Sequence, residues 1–182
     1  MRIAGLALVA AMFAGPALAQ REAISPSLSP EAAAEAFEDA VVAICVPAVT
    51  ATGVQGLPAA VKARISPTND VETRKQAGAA ADETVWDVAA AKGVVTIHEK
   101  AGRCVASVYG PAAGPTMVTL TRMISAAGFE PLAGPGRIGA MEQTLMKQAG
   151  GKRVMVVLNG SEPGMPGHRS KFSVVTATVF VS

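Results

Sequence analysis

Few residues in this chain carry groups that could do chemistry, and their spacing gathers few of them. There are two histidines and two cysteines in 182 residues. Acid–base catalysis needs titratable groups brought together in a pocket. His98 is followed by Glu99 in a β-rich run, so alternation sends the two side chains to opposite faces. His168 sits in a Gly/Pro-rich stretch with Met165 three residues before it. A thioether beside an imidazole is a soft donor pair of the kind that suits copper, and Met165 and His168 are the metal candidates on that ground. Two donors do not complete a site. The remaining methionines fall in predicted helices and strands, where filling gaps in a core is their ordinary role. No Gly-x-Ser-x-Gly elbow marks a nucleophile. The glycines at 134, 136, 164 and 167 do not form a dinucleotide or Walker loop. No catalytic residue and no cofactor is assigned. An enzyme is left as the alternative reading, hydrolase-like, with a site assembled from distant residues.

The first 19 residues have the parts of a secretory signal in order. Arg2 is the positive start, Ile3 to Gly15 is apolar, Pro16 breaks the run, and Ala17-Leu18-Ala19 supplies the small residues for cleavage. The apolar run is too short for a membrane-spanning helix, and none follows later. The expectation is export to the periplasm, with full secretion as the alternative. A flexible leader, residues 20–28, should precede one domain, residues 29–182. In an oxidising compartment an even cysteine count reads as a disulfide. Cys45 and Cys104 are therefore expected to pair. A reactive thiol or a metal pair is the alternative, without a Cys-x-x-Cys motif or a nearby histidine in sequence to support it.

The net charge of +2 names no partner, but its distribution is uneven. Residues 21–99 carry 6 basic and 11 acidic side chains; residues 100–182 carry 9 basic and 3 acidic. Arg137, Lys147, Lys152, Arg153, Arg169 and Lys171 fall near the ends of the last predicted strands and could form one basic rim. Arg137, Lys152, Arg153, Arg169 and Lys171 are the binding candidates, for a protein or envelope component of acidic character. The same charges could instead protect edge strands from aggregation. No nucleic acid is expected as a ligand, since aromatics are only 4% and stacking platforms are scarce. Oligomeric state is not encoded in any pattern found.

Two helices and two groups of strands must position these residues. Ser29-Pro30-Glu31 is a helix start, with Ser as N-cap and Pro at the first helical position. Ala33, Phe37, Val41, Ile44 and Cys45 then recur at helical spacing, and Pro47 should end the run. Pro58 to Arg64 suggests a short helix. Residues 68–81 read as a solvated surface segment, helical or looped. From Glu83 the period changes to two. Strands are expected near 85–88, 93–99, 103–109, 137–147, 153–159 and 171–181, with turns at Lys100-Ala101-Gly102 and Gly150-Gly151. Between the two groups, Thr116 to Ala127 reads as a helix closed by Gly128 and Phe129. Short connections favour antiparallel pairing. The expected fold is α+β: an antiparallel sheet of five to six strands in two meanders, with two main helices packed on one face.

Phe37 and Cys45 at the end of the first helix, Trp86 opening a strand, the run Val94-Val95-Thr96-Ile97, and Cys104-Val105 after a hairpin turn together resemble the uncharacterised exported bacterial NMCC_0638 family of (lipo)proteins. The resemblance implies export and pairing of Cys45 with Cys104. It implies no activity. No cysteine follows the cleavage motif, so lipidation is not implied here.

Overall fold

The computed structural model describes residues 29–51, 53–100, 102–132, 141–168 and 170–182. The expected signal segment (residues 1–19), the expected leader (residues 20–28), Arg137 and Arg169 lie outside the described residues. The chain opens with α1 (Pro30–Asp39), started as its sequence indicates: the Ser29 hydroxyl accepts the Ala32 N–H at 3.2 Å. The helix does not end at Pro47. It widens into a π-helical segment (Ala40–Cys45) and continues as α2 (Val46–Thr50). A proline inside an α-helix clashes with the carbonyl four residues back and removes one bond. The wider five-residue bonds, such as Val46 N–H to the Val41 carbonyl, carry the chain past that clash.

After a 3₁₀ turn (Val54–Gly56), three short elements follow. They are α3 (Ala59–Lys62), β1 (Ile65–Thr68) and α4 (Val71–Gln76), the last capped by Asp70 and without a buried residue. The segment 68–81 thus holds one six-residue helix without a buried residue, flanked mostly by turn and loop. Next come β2 (Val85–Val88), β3 (Val95–Lys100) and β4 (Arg103–Tyr109). The second long helix, α5 (Ala113–Ala126), begins three residues earlier than expected, because Pro115 is tolerated in a first turn. It ends as its sequence predicts. Gly128 adopts φ 88°, its N–H reaches the Ser125 carbonyl, and Phe129 N–H reaches the Ile124 carbonyl. Then come β5 (Glu130–Pro131), β6 (Glu142–Ala149), β7 (Lys152–Ser161) and β8 (Val174–Val181).

All eight strands form one antiparallel sheet in the order β1-β2-β3-β4-β8-β7-β6-β5. The fold is α+β, with eight strands rather than five or six, and one sheet rather than two separate meanders. The two runs fuse where β4 pairs β8, from Cys104 opposite Val179 to Tyr109 opposite Val174. The added strands are the two edges, β1 and β5. Each contains a proline, Pro67 and Pro131, which cannot donate to a ladder and so sits at an edge.

The helices lie on one face. A row across that face runs Trp86, Ile97, Ala106, Ala177, Leu158, all buried. Ala106 and Ala177 at its centre leave room for the helices above. Gly160 does the same under α5: a Cβ there would meet Met117 and Met141 at 3.1–3.2 Å. The opposite face carries a polar row, Asp87, Thr96, Ser107, Thr176 and Asn159. Cys45 and Cys104, both fully buried, join the π-helical segment to β4 with sulfurs at disulfide distance and Cα atoms 5.2 Å apart.

Candidate functional site

The sequence-predicted basic residues do not form one rim. β7 runs from Lys152 to Ser161, a length of about 30 Å at the rise of an extended strand. Lys152 and Arg153 stand at one end of it. Lys171 precedes β8, whose first residue Val174 pairs with Ser161, so it belongs to the opposite end of the sheet. Arg137 and Arg169 lie outside the described residues.

At the Lys152 end the strand order brings in two cations that the sequence reading did not include. The β3–β4 turn places Lys100 opposite Arg103, and the β6–β7 turn places Ala149 opposite Lys152. Between these turns lies only the end of β8. Lys100, Arg103, Lys152 and Arg153 are all exposed. None lies within salt-bridge reach of a carboxylate among the described residues; the pair found there is Arg64–Asp39, elsewhere on the fold. The Arg103 guanidinium stands 5.6 Å from the centre of the Phe180 ring, a cation–π contact that orients it.

Two of the predicted lysines have structural work. Lys152 Nζ donates to the Thr50 carbonyl at 3.0 Å, at the C-terminus of α2. Lys147 Nζ donates to the Ala127 carbonyl at 2.6 Å, at the C-terminus of α5, and lies 5.5 Å from the Phe129 ring centre. A cation at a helix C-terminus meets the negative end of the helix dipole. Arg153, Lys100 and Arg103 have no such contact with a helix end among the described residues.

The other end of the sheet holds a second polar cluster. Ser161 Oγ and His168 Nδ1 are hydrogen-bonded at 2.5 Å, and His168 Nε2 is buried without a partner among the described residues. Glu162 accepts the Ala113 N–H at 2.5 Å and the Ser173 hydroxyl. The Ser173 bond holds its carboxyl below the ordinary range; the partial burial opposes this, and the α5 amides and His168 add to it. Helix α5 has no side-chain cap of its own at Ala112, and Glu162 supplies one from the β7–β8 loop. The uncapped helix start is the signal in the sequence that could have pointed to such a carboxylate.

The metal candidates are engaged within this loop. Met165 Sδ accepts the Glu162 N–H at 3.2 Å, and His168 Nδ1 meets Ser161. Among the described residues no group of three or more His, Cys, Asp or Glu side chains could hold a metal ion. His98 lies far from His168, on the polar face of the sheet, 3% exposed, with Nδ1 unpartnered among the described residues. Burial pushes its pKa below the ordinary histidine value; Glu83 opposes this and Lys100 adds to it. Tyr109, on the same face, is bonded to Thr96 at 3.4 Å, and burial raises its phenol.

Two open clefts of about 250 Å³ flank the sheet, one by Pro30, Tyr109 and Phe172, the other by Val54, Ile65 and Trp86. Neither is lined by His168, Ser161 or the four clustered cations. Among the described residues no helix is long and apolar enough to cross a membrane. The chain matches no model of a known protein family, no curated protein and no solved structure.

Proposed function

We propose that this chain is an exported, non-catalytic binding protein of the periplasm that holds an acidic protein or envelope component at the Lys100/Arg103/Lys152/Arg153 end of its sheet. The observation that carries the reading is the convergence of four exposed cations, from two turns about 50 residues apart in sequence, without a salt bridge to a carboxylate among the described residues. Exposed charges of one sign raise the local concentration of an opposite partner and speed its encounter. The export signal and the resemblance to an exported family support the compartment. The test is in-cell cross-linking followed by affinity capture and mass spectrometry. A stoichiometric partner lost at high salt, and lost on substitution of Lys100, Arg103 and Arg153 by Glu, is the expected result. A partner that survives the triple substitution overturns this surface.

The hydrogen bond between Ser161 and His168 favours a second reading, a serine nucleophile with an imidazole base. Labelling by a fluorophosphonate probe, abolished in Ser161→Ala, would favour it over the binding reading. The absence of label on intact protein would remove it.

A further inference from the structure

The face of the sheet turned away from the helices carries a row of side chains that complements itself. Antiparallel partners share a face, so the row can be followed from strand to strand. Lys100 lies opposite Arg103, and the Arg103 guanidinium stands over the Phe180 ring. Phe180 lies opposite Met155, Met155 opposite Met146, and Met146 opposite Glu130. The row is thus basic at its β3 and β4 end, apolar over β8, β7 and β6, and acidic at β5. Lys100, Arg103 and Glu130 are exposed, and the three apolar side chains are half-buried. The next row on this face, Val105, Thr178, Val157 and Thr144, is half-buried as well. Toward β2 and β3 the same face is already buried, at Asp87, Thr96 and His98. Its open part is therefore the surface of β4, β8, β7 and β6.

Such a row fits a second copy of itself. A two-fold axis lying along the strands, between β8 and β7, reverses the strand order in the facing copy. Phe180 then meets the partner's Met155, Val157 meets the partner's Thr178, and Lys100 meets the partner's Glu130. Symmetry makes each contact twice. Aligned sheets pack about 10 Å apart, a gap that a lysine and a glutamate span from opposite sides. The open part is about 20 Å across four strands and about 25 Å along them, or roughly 500 Å² per copy. Two copies bury about 1,000 Å² on that count, which reaches the size of a specific interface. A rim of one sign would repel its own copy, whereas this rim pairs opposite charges. We infer that this face joins two copies of the chain into a face-to-face homodimer, with Phe180, Met155 and Val157 at the centre and two Lys100–Glu130 pairs at the margins.

Sedimentation equilibrium of the exported, purified protein over micromolar concentrations measures the association. Twice the mass of one chain is expected. Val157→Lys puts two unpaired charges at the centre and should leave a monomer. Val157 is only half-buried in the single chain, so the variant keeps its fold, checked by circular dichroism. Lys100→Glu and Glu130→Lys should each weaken the dimer by roughly tenfold, because each change turns two attractive pairs repulsive. The two substitutions together should restore it. Both positions are exposed, so this charge exchange reads the interface without threatening the fold. A monomer at every concentration overturns the inference. So does a dimer that Val157→Lys leaves intact, since it must form through another surface. A dimer weakened by each single charge reversal but not restored by the exchange also overturns it.

Discussion

Replacing both Cys45 and Cys104 with Ala tests how the fold is held together. The two are 59 residues apart, and their bond closes that length of chain into a loop. Closing about 60 residues removes roughly 14 cal/mol/K of entropy from the unfolded chain, which is about 4 kcal/mol at room temperature. Net stabilities of domains are only about 5–15 kcal/mol, so this bond alone is a large share. The assay is urea unfolding followed by fluorescence of Trp86, buried on β2, with circular dichroism as a second probe. Taking a slope of about 2 kcal/mol per molar urea, the midpoint should fall by about 2 M in the variant. Reducing agent should shift the unsubstituted protein by a similar amount and leave the variant unchanged. The slope should increase, because the unlinked chain exposes more surface when unfolded. Coincident curves with and without reductant would refute the entropic reasoning. A reductant effect that persists in the double variant would show that the bond is not its source.

Three further outcomes follow from single side chains. Because Glu162 has a lowered pKa in the folded protein, its contribution is complete above about pH 4.5 and is lost as pH falls through the folded value; Glu162→Ala should lower the melting temperature at neutral pH and flatten the acid limb of the melting curve. His98 also has a lowered pKa, so below about pH 6.5 the unfolded chain takes up a proton that the folded chain refuses. Stability should therefore fall as pH drops below that point, and His98→Leu should remove this slope; an unchanged slope would assign it to other groups. Lys147→Ala should fray the last turn of α5, seen as faster hydrogen exchange at Ala126 and Ala127 and a loss of about 1 kcal/mol or less.

Much of the local structure was legible because it depends on neighbouring residues. Ser29 and Pro30 start α1, Gly128 and Phe129 close α5, and the alternation of residues 85–109 marks three strands, all from chemistry within a few positions. The edges were not legible, since Pro67 and Pro131 cannot donate to a ladder and are tolerated only because one side of each strand is unpaired. The helix past Pro47 was missed for a related reason: local rules end a helix there, whereas the π segment and the packing of Cys45 against β4 carry it on. The candidate site was half legible. Lys152 and Arg153 were singled out, but their companions Lys100 and Arg103 depend on β4 pairing β8. No local pattern encodes that pairing. Lys171 was grouped with them because proximity to a strand end does not say which end of the sheet it is.

The strand order has a consequence for how the chain must assemble. β8, the last of the described strands, occupies the middle of the sheet, between β4 and β7. A chain emerging N-terminus first can form α1 and the β1–β4 meander early, from local pairings, and can join Cys45 to Cys104 at that stage. Until residues 174–181 appear, that intermediate keeps the full edge of β4 open, with Cys104, Ala106 and Val108 on its apolar face. Such an edge is a template for pairing with other chains. Completion of the sheet is thus tied to the emergence of residues 174–181, and the interval between β4 and β8 is when this chain is most exposed to aggregation.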